Sequence, residues 1–238
     1  MLKDILKSPL KISQHPNFKH NLVLRIISAL VLAPLVLYVV HYGSWLYALW
    51  VFLVGVLMMY EIITIVKNNK SKLLDKLEWF SLGLLYVLLF CWSLIYLRSV
   101  EGGYYITMWL LFMVWATDTF AYFAGLSIGG PKIAPKISPS KTWSGLAGGA
   151  IGAMAVSFCL MYISGYSPKM MTQGIWVAPL VAVISQAGDF LESAFKRHFG
   201  VKDSGSIIPG HGGVLDRLDG LVTASWFVAL LVVYGVNG

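Results

Sequence analysis

Hydrophobic residues run along this chain in long unbroken stretches, not in the short alternations of a half-wet strand or the narrow stripe of a surface helix. A helix needs about twenty mainly apolar residues to cross a bilayer. Seven such stretches are legible, at about 22–41, 45–66, 79–97, 104–127, 143–164, 174–195 and 214–236. The pattern predicts an all-α fold, a polytopic membrane helix bundle of about seven transmembrane helices. The first stretch is too long for the apolar core of a secretory leader and lacks a small-residue cleavage site, so it reads as a span. Residues 1–21 form a basic N-terminal segment, 22–110 the N-terminal membrane helices, and 111–238 a C-terminal region that carries the candidate chemistry.

Composition agrees with that reading. The 238 residues are 58% hydrophobic and 12% charged, with a mean hydropathy of +0.73. A soluble domain carries about 25% charged residues, and a disordered chain needs low hydrophobicity. Both classes are excluded.

The formal charge of +7 comes from placement. Fourteen of the eighteen Lys and Arg residues fall in residues 1–21, 67–78, 128–142 and 196–213, which alternate with loops holding only Arg98 and Lys169. The positive-inside rule then puts the N-terminus in the cytoplasm, and no nucleic-acid partner is expected. Residues 1–12 mix Leu and Ile with Lys and read either as a surface-lying segment or as a frayed basic tail. Cys91 and Cys159 have no partner spacing and read as buried small hydrophobes. Gly145 to Gly149 and Gly148 to Gly152 are overlapping small-residue spacings, suited to close packing within the chain or in a homodimer.

The acids change the picture. Six of eleven lie within the spans: Glu61, Asp118, Asp189, Glu192, Asp216 and Asp219. An ionised acid at mid-bilayer costs about 2.5–3.5 kcal/mol even on the lenient scale. Together they would cost roughly 15–20 kcal/mol, more than the net stability of an ordinary fold. They must line a wet site, meet cations or sit near the interface.

Asp189, Glu192, Ser193 and Lys196 share one helix face by their spacing. Asp216 and Asp219 share a face of the next helix, across an 18-residue loop rich in Gly and cations. Carboxylates beside Lys and Arg suit a hard divalent cation that completes its shell with phosphate oxygens. The composite points to phosphoryl or nucleotidyl transfer, with a structural ion-pair network and a proton or cation relay as the alternatives. Asp118 and Tyr122, one turn apart, lead into a second basic Gly/Pro/Ser segment at 128–142 on the same side. Glu61 and Glu192 are expected to pair with cations structurally.

Ser193-Ala-Phe-Lys196-Arg197, then Lys202-Asp203, then Pro209-Gly-His211-Gly212-Gly213-Val-Leu-Asp216-Arg217-Leu-Asp219 resembles the signature of the phosphatidate cytidylyltransferases. Gly188-Asp189-Phe-Leu-Glu192-Ser193, Asp118-Thr-Phe-Ala-Tyr122 and Ile137-Ser138-Pro-Ser-Lys141-Thr142 are also similar to that family. The resemblance covers roughly 115–235. Leu126, Ser140 and Ser144 depart from it, standing where the family often has Arg, Lys and Glu.

The resemblance implies a membrane enzyme of phospholipid biosynthesis that converts CTP and phosphatidate to CDP-diacylglycerol and pyrophosphate. Asp189, Asp216, Lys196 and Lys141 would carry the chemistry. Asp189, Asp216, Asp219 and Ser193 would hold one or two divalent ions, taken as Mg²⁺. Ser193, Arg197, Lys202, Asp203, Gly212, Gly213, Arg217, Asp118, Tyr122 and Ser138 would bind substrate. His211 would either touch a phosphate or only shape its turn. No general base is required, because phosphatidate arrives ionised. The expected location is the cytoplasmic (inner) membrane, with the site facing the cytoplasm. The alternatives are a polyprenol kinase-like lipid transferase and a cation-coupled transporter.

Overall fold

The computed structural model describes residues 18–68 and 72–236. The expectation for residues 1–12, and most of the 1–21 segment, lies outside the described residues. Seven long helices account for nearly all of the rest: α1 (Phe18–Tyr42), α2 (Ser44–Asn68), α3 (Leu73–Ser99), α4 (Gly103–Ser127), α5 (Trp143–Ile163), α6 (Pro168–His198) and α7 (Leu215–Val236). Each is long and apolar enough to cross a membrane. The all-α membrane bundle read from the sequence is the observed fold.

Two helices outrun their apolar stretches. α3 starts at Leu73, before the predicted 79, because Asp75 in its first turn complements the positive helix end. α6 begins at Pro168, whose fixed φ suits the first helical position, behind the Ser167 cap. Its 31 residues rise about 46 Å, more than a hydrocarbon layer of about 30 Å requires.

The 128–142 segment is not a plain loop. β1 (Lys132–Ala134) and β2 (Ser138–Thr142) form a short antiparallel hairpin. Thr142 then caps α5, its side chain accepting from the Gly145 amide at 3.1 Å.

In the bundle α5 packs on α4 and α6, α7 packs on α6 and α3, and α2 packs on α3. α1 lies against α2 and α4. Met58, Phe90, Leu97, Leu110 and Met113 fill the interior. Between α3 and α7 the buried Ser93 and Ser225 hydroxyls share a 2.7 Å hydrogen bond, the kind of polar link that joins helices in lipid. The glycine stripe of α5 faces its own chain: a Cβ at Gly145 would stand 3.0 Å from the Ala121 carbonyl, and one at Gly149 3.0 Å from the Thr117 carbonyl. The stripe therefore serves packing inside the chain.

Contacts sort the connections into two ends. At one end Arg25 meets Gly210, His198 lies 3.8 Å from Asp75, and Lys141 meets Asp189. At the other, Arg98 Nε donates to the Val40 carbonyl at 2.9 Å and His41 packs edge-on against Tyr104. The cation-rich connections thus gather at one end of the bundle.

Candidate active site

The acids of α6 meet cations from different elements. Lys141, on β2, forms an ion pair with Asp189. Two turns on, Lys196 Nζ stands 2.6 Å from Glu192 Oε2 and 2.6 Å from Asp216 Oδ1 of α7. The Glu192 pairing is as expected. Lys196 is the centre of a buried triad, neutralising two carboxylates that would otherwise repel each other. Ser193 lies half-buried on the same helix.

Asp216 is more committed than a free metal ligand would be. Besides Lys196, it accepts from the Ser204 amide at 3.1 and 3.0 Å and from the Gly213 amide at 2.9 Å. It ties the loop after α6 to the start of α7. At Gly212 (φ 88°) the left-handed turn is strained for any side chain, and a Cβ would approach Asp216 Oδ2 to 3.0 Å.

Glu61 departs from expectation. Its carboxylate, in a residue 1% exposed, meets no cation among the described residues; it accepts from Ser204 Oγ at 2.8 Å and from the Val214 and Leu215 amides, each at 2.9 Å. Those amides are orphan donors of the α7 N-terminus, where the helix dipole also favours an anion. A helix end replaces the expected cation.

Asp118 on α4, Asp189 on α6 and Asp219 on α7 stand close enough to feel one another's charge, with Lys141 and Arg217 as nearby positive groups. Asp118 is open to the surface. Asp219 Oδ1 accepts from the Gly220 amide at 2.9 Å, and its backbone carbonyl receives the Tyr86 hydroxyl at 3.4 Å. Among the described residues neither Asp118 nor Asp219 has an ion-pair partner. No group of three His, Cys, Asp or Glu side chains there could hold a metal ion unaided. The donors are carboxylates, which suits a hard cation completed by phosphate oxygens.

His211 sits between two arginines. Its Nδ1 lies 2.6 Å from Ser28 Oγ of α1, and its carbonyl receives Arg217 Nε and Nη2 at 2.9 and 2.8 Å. Arg25 Nε donates to the Gly210 carbonyl at 2.8 Å. Burial, then the Arg217 and Arg25 charges, hold the His211 imidazole below its ordinary range, so it is neutral at neutral pH.

Other expected residues lie apart from this cluster. Arg197 donates to the Val201 carbonyl at 2.9 Å, while Lys202 and Asp203 are exposed in the loop. Tyr122 is 65% exposed and packs edge-on against Phe123. Ser138 pairs with Ala134 in the hairpin. Of the departures, Leu126 and Ser140 are exposed, whereas Ser144 Oγ donates to the Gly129 carbonyl and closes the hairpin's base.

Arg25, Ser28 and Ser204 join the site without any sequence signal strong enough to have found them. Arg25 and Ser28 share a helix face at the polar start of a span, a pattern common to interface anchors. The six membrane acids lie in the halves of their helices nearer the cation-rich end, not through the bilayer depth that a relay would span.

A family model described as the cytidylyltransferase family matches residues 68–234. A phosphatidate cytidylyltransferase of Rickettsia conorii is 34% identical over 221 residues, covering 91% of this chain and 93% of that protein. Those of Brucella abortus and Haemophilus influenzae are 46% and 42% identical over 162 and 132 residues, or 66% and 54% of this chain. The matched segment spans 57% of the Brucella protein's length and 46% of the Haemophilus one's.

Proposed function

The chain belongs to the cytidylyltransferase family, and from that premise we propose that it transfers the cytidylyl group of CTP to phosphatidate, yielding CDP-diacylglycerol and pyrophosphate. The observation that carries this reading is the meeting of the Lys141–Asp189 pair, the Glu192–Lys196–Asp216 triad and the glycine-rich loop at one end of a membrane bundle. A lipid phosphate at the bilayer surface and a nucleotide from the adjoining water can both reach that place.

A phosphate oxygen of phosphatidate attacks the α-phosphorus of CTP in line. The bond from that phosphorus to the bridging oxygen breaks, and pyrophosphate leaves with its electrons. The attacking oxygen is already ionised, so no side chain need take a proton. Asp189 and Asp219, with Asp216 behind them, are the residues that would hold a divalent cation, Mg²⁺ by donor type. Such an ion supplies charge neutralisation to the reacting phosphates. Lys141, held ready by Asp189, exchanges that carboxylate for a substrate phosphate. Lys196 keeps Asp216 in place. His211, neutral between Arg217 and Arg25, donates or accepts hydrogen bonds at the rim of the loop. Catalysis then rests on positioning and electrostatics. The cation-rich end faces the cytoplasm, where CTP is available, and the membrane is the cytoplasmic one.

Purified protein should release pyrophosphate from CTP only when phosphatidate and Mg²⁺ are both present, and not from ATP with a polyprenol. Asp189→Asn should lower turnover at least about a hundredfold, as loss of charge stabilisation at a phosphoryl centre does. Its melting temperature should stay close to that of the parent, since among the described residues the Asp189 side chain bonds to Lys141 and to no other group. Near-normal activity of this variant at saturating Mg²⁺ would overturn its place at the metal.

A further inference from the structure

We propose that Glu61, a membrane-buried acid outside the signature segment, is a positioning residue that holds the 200–214 loop, and through it Asp216, in the arrangement that binds substrate.

The argument starts from the cost of burying a charge. A carboxylate that is 1% exposed in a helix interior persists only if its oxygens are satisfied. Glu61 is on α2, yet among the described residues its side-chain bonds run to one stretch more than 140 residues later: Ser204 Oγ, Val214 N and Leu215 N. The chain is shaped to admit it. A Cβ at Gly205 would stand 2.8 Å from Glu61 Oε1, and one at Gly213 would stand 2.7 Å from both carboxylate oxygens. Gly205 thus leaves room for the acid, and Gly213 for the acid together with the Ser204 hydroxyl bonded to it.

Asp216 grips the same turn from its other side. Its oxygens take the Ser204 and Gly213 amides, so Ser204 is bonded to Glu61 by its hydroxyl and to Asp216 by its amide. Consecutive amides 213, 214 and 215 are divided between the two carboxylates. Releasing Glu61 frees Ser204 and the first turn of α7, and Asp216 loses the frame that orients it towards Lys196. Glu61 itself touches none of the reacting groups. It acts at one remove.

The test uses the full-length protein in detergent or nanodiscs, and its kinetic arm rests on the cytidylyl-transfer reading while its exchange arm does not. Glu61→Gln keeps the size of the side chain but turns an NH₂ towards donor amides. Hydrogen exchange is expected to quicken by roughly ten- to a hundredfold in peptides covering 204–216, the loss expected for a charge-assisted hydrogen bond, and to stay unchanged in α4 and α5. In the kinetic arm, kcat/KM falls by a similar factor and the Mg²⁺ concentration for half-maximal activity rises. A global loss of stability without local exchange would not move the metal dependence. Ser204→Ala, which removes one donor and leaves Glu61 in place, is expected to shift both readouts in the same direction by a smaller factor. It serves as the deciding variant if Glu61→Gln does not fold. Unchanged exchange over 204–216, or an unchanged Mg²⁺ requirement with the loop loosened, overturns the proposal. A parent protein inactive towards CTP and phosphatidate would instead overturn the transfer reading and leave the exchange result standing.

Discussion

Lys196 places one ammonium between two carboxylates in a side chain that is 10% exposed. Solvent screening at that depth is slight, so its removal leaves two facing acids without a cation between them, Asp216 keeping only the Ser204 and Gly213 amides. Lys196→Met is expected to destabilise the protein by about 3–5 kcal/mol, as loss of one partner from a buried ion pair does. Thermal unfolding in detergent should read this as a large drop in melting temperature, together with loss of turnover. Retained stability would mean that the triad is not formed in the membrane. At this scale the face Asp189, Glu192, Lys196 was legible, because helical spacing alone puts those residues together. Their partners were not: Lys141 lies 48 residues from Asp189, and Leu215 lies 154 from Glu61. No local pattern encodes such pairs.

α5 lies close against α4 because glycine replaces bulk along the contact. A Cβ at Gly149 would meet the Thr117 carbonyl and Gln186 Nε2, each at 3.0 Å. Gly149→Val must therefore push α4 and α6 away, and overpacking of this kind costs about 1–3 kcal/mol. A lowered melting temperature, with the oligomeric state unchanged, is the expected result; a shift in oligomeric state would reassign the stripe to an interface between copies. The spans themselves were readable from hydropathy, since partition into lipid is decided residue by residue. The hairpin at 132–142 was not, because Lys-Ile-Ala and Ser-Pro-Ser-Lys-Thr show no strand-like alternation. It is held at its base by the Trp143 amide on the Pro131 carbonyl at 3.2 Å and by Ser144 on Gly129.

At the scale of the molecule, the seven candidate spans among the described residues and the cation-rich connections at one end make the proposed orientation testable. Ser206 and Ser164 are exposed on loops at opposite ends. In a background with Cys91 and Cys159 replaced by Ala, Ser164→Cys should react with an impermeant maleimide added to intact cells. Ser206→Cys should react only after the membrane is opened. The reverse result would turn the molecule over and put the acid cluster outside.

Taken by itself, the chain determined its solvent: which segments enter lipid, which end carries the cations, and that several acids stand where a site must justify them. These are local properties, set by the transfer energies of single residues and by helical period. Which donor each buried acid receives was decided only by the tertiary structure. Glu61 looked like half of an ion pair and proved to be held by the amides of a helix end. Asp216 looked like a free ligand and proved to be the knot of a loop. Such bonds form between segments brought together by packing, and their energy exists only once that packing has excluded lipid and water from between them.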